Sequence, residues 1–303
     1  MNPDVALTSS GERLCSSSAV LVPTATSRSG APVTSILSKD TKGRTINTTA
    51  TSRHDVESFY DVVWTQYVPE YEATQRHWAL FYSPDDVKGK SVLDAGCGTG
   101  VFSAIFARNG AGTVTGIDIS TGSLQTAEGL KARFGLTNAN FEVQDMLHLP
   151  YADRTFDIVW AWGTVHHTID PLAAITELGR VLRPGGSMLL AIYRRTRVTW
   201  IHEAIRRTLI RTPEWSWTII ARVMAFFLWP VVWLFKRREK SRQGEKLAEL
   251  VLDWYFVPIR FYYTPEEIKG FLESRGFTIE KFLPASGRFD SSSNFIFKAR
   301  KAS

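Results

Sequence analysis

Cysteine is almost missing: Cys15 and Cys97 are the two in 303 residues. Two thiols cannot build a disulfide framework, and neither sits in a cluster with metal-ligand spacing, so a reducing, cytoplasmic setting and no metal site are expected. Long apolar runs are also missing. The best, Ile219 to Phe235, holds 17 residues and is broken by Arg222 and Pro230. That is short of the roughly 20 residues a bilayer-spanning helix needs, and an arginine inside one is costly. Aromatics are scarce in residues 1–53, which are rich in Ser and Thr and follow neither a period of 2 nor of 3.6. This stretch reads as a disordered extension. Arg13, Arg28, Arg44 and Arg53 leave an organellar transit peptide open, although Asp4, Glu12 and Asp40 interrupt it. The apolar patch Ala19 to Val22 is too short for a secretory signal.

What is present fits one large α/β domain with insertions, or two small ones. An apolar content of 44% supports a buried core. The formal charge of +6 is concentrated: between Arg194 and Arg242 stand twelve Lys or Arg against three Glu. The remainder holds 24 basic and 27 acidic residues, a net −3.

The chain is organised around Ser91 to Gly100, SVLDAGCGTG. Ser91 to Leu93 reads as the start of a buried strand ended by Asp94. Gly96, Gly98 and Gly100 then make a turn that backbone and ligand can approach without Cβ interference, and Val101 to Ala107 reads as a helix. Such a strand, glycine turn and helix aims free N–H groups over the turn. Cys97, inside the turn, reads as a small packing residue rather than a nucleophile. Many nucleotide sites share this pattern, but the dinucleotide fingerprint G-x-G-x-x-G would need glycine at 101, where Val101 stands.

A second strand, Thr113 to Ser120, ends near Asp118, 22 residues after Gly96, close to the offset at which an acidic side chain meets a ribose diol. Ser120 is placed to cap a helix reaching about Phe134. A third strand, Asn140 to Gln144, closes on Asp145, which could equally cap a turn. Phe156 to Trp162 is a fourth, followed by a loop and a helix opened by Asp170 and Pro171. A Pro184-Gly185-Gly186 turn leads to a fifth strand ending at Tyr193. Thr264, Pro265 and Glu267 start a further helix that stops at Gly276, and two last strands are predicted as an antiparallel pair at the sheet edge.

Asp-x-Gly-x-Gly-x-Gly from Asp94 resembles motif I of the class I S-adenosylmethionine-dependent methyltransferases. The resemblance runs in order over roughly Lys90 to Arg300, and GTVHHTID with RVLRPGG resembles the small-molecule type. It implies a seven-stranded Rossmann-like α/β sheet with a helical cap insertion, and S-adenosylmethionine as cofactor. It also implies roles: Asp94 and turn carbonyls toward the ammonium, and the N–H groups of Gly96, Cys97, Gly98 and Gly100 toward the carboxylate. Asp118 with Ile119 would take the ribose, Asp145 and the Met146 N–H the adenine, and Trp162 would border the cofactor at the end of the fourth strand.

His166 and His167, in the loop at the carboxyl end of the sheet, are candidate bases, or residues that anchor the turn. Tyr193 and Tyr60 are candidates for positioning the acceptor. Tyr60, Trp64, Tyr67 and Tyr71 recur at helical spacing within an aromatic cap over 54–88, which docks on the core or covers the cofactor mouth. No Asn/Asp-Pro-Pro-aromatic sequence and no cysteine follow the fourth strand, against methylation of a nucleobase amine or of cytosine C5. A small molecule is the expected acceptor, nucleic acid is not an expected partner, and the oligomeric state is open. Segment 194–263, basic and rich in Trp, reads as a packed cap, as a cap that touches a membrane through 194–242, or as a span; Ile201, Ile205 and Leu209 form its first apolar face, flanked by Arg206, Arg207 and Arg211. Two other classes stay open: a nicotinamide-dependent Rossmann oxidoreductase, and a membrane- or nucleic-acid-binding protein on the same scaffold.

Overall fold

A computed structural model describes residues 22–26, 32–39, 45–49, 57, 59, 60, 70–236, 244–284 and 294–303. The chain divides into two compact units, Met1–Thr51 and Ser52–Ser303. In the first, composition predicts disorder, but three strands form: β1 (Val22–Thr26), β2 (Pro32–Lys39) and β3 (Thr45–Thr49). They pair as an antiparallel sheet in the order β1-β2-β3, with Ile36 opposite Thr48 and Ser38 opposite Ile46. The Thr, Val and Ile content of these segments is what a pleated backbone favours, even without an aromatic core.

The second unit is built on seven strands. These are β4 (Ser91–Ala95), β5 (Thr113–Asp118), β6 (Ala139–Val143), β7 (Phe156–Trp162), β8 (Leu182–Tyr193), β9 (Phe277–Leu283) and β10 (Asn294–Lys301). Their order is β6-β5-β4-β7-β8-β10-β9. The five strands from β6 to β8 pair in parallel, and β10 runs antiparallel to both β8 and β9. This is the seven-stranded class I methyltransferase sheet. The chain moves outward from β4 through β5 and β6, then crosses back to β7. The switch between β4 and β7 opens a crevice at their carboxyl ends, where open α/β sheets bind ligands. The final pair is antiparallel and lies at one edge of the sheet, as expected, with β9 outermost.

Both faces of the sheet are covered, as parallel strands require. Alternation along β4 sends Leu93 and Ala95 into one core with Val159, Leu178 and Ile268. Val92 enters the other with Trp160, Ile105 and Phe106. The helices begin where the residues dictate. Ser120 accepts the Ser123 N–H at the head of the helix Thr121–Phe134, and Asp170 accepts that of Ala173 before Pro171–Val181. Thr264 and Glu267 form a reciprocal capping box on Pro265–Glu273.

The Pro184-Gly185-Gly186 turn lies inside β8 as a bulge. Phe156 pairs with Leu182 but Ile158 pairs with Ser187, so three extra residues loop out of the ladder. A Cβ on Gly186 would lie 2.7 Å from Leu182 Cδ1 and 2.8 Å from the Arg183 oxygen.

In chain order the remaining helices are α1 (Tyr71–Trp78), α2 (Pro84–Val87), α3 (Val101–Arg108), α4 (Thr121–Phe134), α5 (Pro171–Val181), α6 (Thr199–Leu209), α7 (Glu214–Lys236), α8 (Gly244–Tyr255) and α9 (Pro265–Glu273). Helices α6 to α8 hold a third core, in which Phe59, Ala221, Ala225, Val251 and Phe256 are buried together. Of the predicted aromatic stripe, Trp64 and Tyr67 lie outside the described residues. Tyr60 and Tyr71 part company: Tyr71 meets Phe134 and Arg108, whereas Tyr60 meets Phe59 and His167.

Candidate cofactor and substrate site

The glycine turn leaves β4 and enters α3 with Gly96, Gly98 and Gly100 all at positive φ. Two of them are fixed by neighbours as well as by conformation. A Cβ on Gly96 would lie 2.4 Å from Thr164 Cγ2, and one on Gly100 would lie 2.8 Å from Ala127 Cβ. At Gly98 the position of a Cβ meets no described atom within 4 Å, so this residue faces open space at the crevice.

Asp94 is buried beneath the turn and accepts a 2.6 Å hydrogen bond from Ser103 Oγ. Burial pushes its carboxyl up to about 7, with the Asp118 charge adding to the rise and Ser103 opposing it. A buried acid poised in this way is matched to a cation that replaces the lost water. Asp118, half-buried at the tip of β5, accepts from the Gly98 N–H and the Ser120 N–H, both at 2.9 Å. Ile119, the next residue, is half-buried.

The expectation for the turn N–H groups is corrected. Gly96 and Cys97 both donate to the Ile117 oxygen, Gly98 donates to Asp118 and Gly100 to the Cys97 oxygen. These four N–H groups are used internally, and an anion would meet the first turn of α3 instead. Cys97 is buried, and burial, then the Asp94 and Asp118 charges, hold its thiol well above its ordinary range, as a packing residue would be. Asp145 does cap a turn, accepting the Leu147 N–H at 3.0 Å, and Met146 packs against the core. Trp162 lies parallel to Trp160, 5.5 Å away, and touches Phe102 and His77.

The four residues proposed for chemistry come together. His166 and His167 form a single 3-10 turn (Val165–His167) after β7, and both are buried. Ring centroids lie 4.3 Å apart between the two histidines, 4.0 Å between His166 and Tyr193, and 5.9 Å between His167 and Tyr60. Thr164, just before this turn, donates to the Ala95 oxygen at 2.9 Å and packs on Gly96. One rim therefore carries both the glycine turn and the histidines.

The two histidines differ. His166 has no hydrogen-bond partner on either ring nitrogen among the described residues. Burial first, then His167 and Arg260, drives its pKa well below the ordinary value, so it is neutral. His167 Nδ1 lies 2.9 Å from the Ile259 oxygen. A carbonyl only accepts, so Nδ1 carries the proton and the lone pair of the neutral ring is on Nε2.

Sequence reasoning missed the strap that covers this cluster. Residues 257–263 return from the insertion, with Phe261 N–H donating to the His166 oxygen and Tyr263 N–H to the Tyr193 oxygen. Arg260 lies over the Tyr193 ring, 4.6 Å from its centroid. Arg206, read as flanking the apolar face, is 4% exposed and donates to the Val257 and Pro258 oxygens and to Glu203. Ile201 and Ile205 of the apolar face are exposed, and Leu209 alone of that face joins the third core. An arginine count cannot tell a solvated side chain from one that holds carbonyls, so no signal of this strap was available.

Residues 86–217 match a protein family described as a methyltransferase domain. They form a class I S-adenosylmethionine-dependent methyltransferase domain. The chain is 39% identical over 125 residues to methyltransferase GfsG of Streptomyces halstedii, covering 41% of this chain and 45% of that protein. The chain is 31% identical over 147 residues to the chloroplastic tocopherol O-methyltransferase of Arabidopsis thaliana, covering 48% and 40%. The chain thus spans less than half the length of these curated relatives. Among solved structures it is similar to the magnesium protoporphyrin IX methyltransferase of Synechocystis with bound S-adenosylhomocysteine, at 16% identity and a TM-score of 0.49, covering 84% and 89%. The domain fits its cofactor on its own geometry: an open approach at Gly98, a buried acid for a cation and an acid at the tip of β5.

Proposed function

We propose that this chain transfers a methyl group from S-adenosylmethionine to a small, lipophilic acceptor, at an oxygen that must lose its proton. When bound, the cofactor supplies an electrophilic methyl group. The chain's residues hold donor and acceptor in line and exclude water, which can account for much of the acceleration. Asp94 would neutralise the ammonium, Asp118 the ribose diol, and Asp145 with the Met146 N–H the adenine. His167 Nε2 would take the acceptor's proton while Ile259 keeps the ring oriented. Tyr193 and Tyr60 would border the acceptor, and His166 would pack behind them.

The observation that carries this reading is the contact of Thr164 with Gly96, which puts the histidine turn on the rim of the glycine turn. The names of tocopherol and other O-methyltransferases among the relatives support oxygen as acceptor. The test is calorimetry of the full chain with S-adenosylmethionine and its demethylated product, followed by labelled-methyl transfer onto lipophilic phenols and alcohols. Heat with both nucleosides and label in a base-stable ether is expected. Absence of heat on folded material would overturn the enzyme reading, and label in an amine or thioether would overturn the choice of oxygen.

A further inference from the structure

Over its described side chains, residues 214–230, helix α7 has no continuous polar side to offer water. Its inner arc, with Trp217, Ala221 and Ala225, packs in the third core with α8. Its outer arc carries Trp215, Ile219, Val223, Phe226 and Phe227, which are 76%, 56%, 51%, 75% and 71% exposed. A helix that is apolar all round is normally buried. Helix α6 repeats the arrangement: Trp200, Ile201 and Ile205 face out while Arg206 and Thr199 face in. Exposed cations stand among these residues, Arg197, Arg207, Arg211 and Arg222. Glu214 is the one exposed carboxylate among the described residues of α6 and α7.

We infer that α6 and α7 form a surface that docks on an anionic lipid bilayer, lying in the plane of its interface. Among the described residues no helix is long and apolar enough to cross a membrane, which leaves in-plane contact for this arc. Exposed Trp and Phe beside Arg suit the boundary between headgroups and acyl chains: the rings enter it and the guanidinium groups meet lipid phosphates. A second copy of the chain fits less well. A two-fold pairing through these helices would bring arginines against arginines with almost no carboxylate to answer them. The inference stands apart from methyl transfer, since it uses none of the residues assigned to the cofactor or acceptor.

The test is flotation of the full chain with phosphatidylcholine vesicles, with and without phosphatidylglycerol. Binding is expected to be stronger with the anionic lipid and to weaken as salt is raised. Phe226→Ser with Phe227→Ser should lower the partition coefficient about tenfold or more for both compositions. Arg211→Glu with Arg222→Glu should lower it for the anionic vesicles alone. Circular dichroism and the melting transition of each variant check that the fold is kept, which these exposed positions allow. The inference is overturned if the wild-type chain binds neither vesicle. It is equally overturned if a concentration-dependent dimer lost in the Phe226/Phe227 variant accounts for the face, or if the chain binds single-stranded RNA in a salt-sensitive way and ignores both vesicles.

Discussion

Asp94 and the two histidines place opposite demands on their surroundings. Burial is the chief cause that pushes the folded Asp94 carboxyl up to about 7 from its ordinary value of 3.8. The folded state therefore holds a proton that the unfolded chain has released. The associated stability is fully present below about pH 4 and is lost as pH rises through 7. A ligand cation must meet the ionised form, so S-adenosylmethionine affinity should rise with pH up to and through 7 and then level off. Calorimetry in buffers of different ionisation enthalpy would show the proton released on binding. Ser103→Ala removes the bond that favours the carboxylate and should move the inflection to higher pH; a profile unaltered by that change would separate Asp94 from the cofactor. His166 raises the reverse question, because two buried ring nitrogens lack partners. His166→Phe should leave the melting temperature within the equivalent of about 1 kcal/mol of the parent and leave turnover largely intact. His167→Ala should lower kcat by about a hundredfold with little change in cofactor affinity. Equal losses at the two positions would argue that they act as a unit.

At the scale of the element, the glycine turn separates packing from ligand access. Gly96→Ala would drive a methyl group into Thr164 at a positive φ and should destabilise the fold by about 2 kcal/mol or more. Gly98→Ala, also at positive φ but with no described neighbour, should cost only about 1–2 kcal/mol of backbone strain. It should nevertheless weaken cofactor binding at least as severely as Gly96→Ala does. Thermal melts paired with calorimetry give the comparison, and a Gly98→Ala protein that binds normally would place the cofactor elsewhere. This turn was legible because its determinants are local: a strand end, three glycines, a helix start. The caps at Ser120, Asp170 and Thr264 were legible for the same reason, each lying within three residues of the N–H it accepts. The use of the Gly96 and Cys97 N–H groups was not, because their acceptor is Ile117 on the neighbouring strand. The bulge at Gly185 and Gly186 was read as the turn before a strand, since spacing alone cannot show that Leu182 already pairs with Phe156. In β1 to β3 the low apolar content spoke for disorder, while β-branched residues suit an extended chain without any alternating pattern.

For the second unit as a whole, the insertion and the sheet are joined at the strap, and Arg206 holds its start from the insertion side while Arg195 holds its end. Its guanidinium donates to the Val257 and Pro258 oxygens and pairs with Glu203 at 2.6 Å. Burial tends to raise the Glu203 carboxyl, but bonds from Arg206 and Arg207 outweigh it and hold the group below its ordinary range. Removing one partner of such a pair leaves a buried charge and two buried carbonyls without donors, so Arg206→Ala should cost about 3 kcal/mol or more. The effect on function should be selective. Ile259, which orients His167, lies immediately beyond the two carbonyls that Arg206 holds, whereas Asp94, Gly98 and Asp118 make no contact with the strap among the described interactions. Turnover should therefore fall at temperatures where the variant remains folded, while calorimetry returns a cofactor affinity near that of the parent. Arg206→Lys, which keeps the charge and can reach one acceptor, should recover part of the turnover. The Glu203 contribution vanishes only as pH falls through its depressed pKa, far below the range in which Asp94 takes up its proton, so on acidification the parent protein should lose cofactor affinity first and the strap only later. If Arg206→Ala weakened the cofactor as much as it slowed turnover, the insertion would be part of the cofactor site, and the division between a rigid donor cradle and a strapped acceptor side would have to be abandoned.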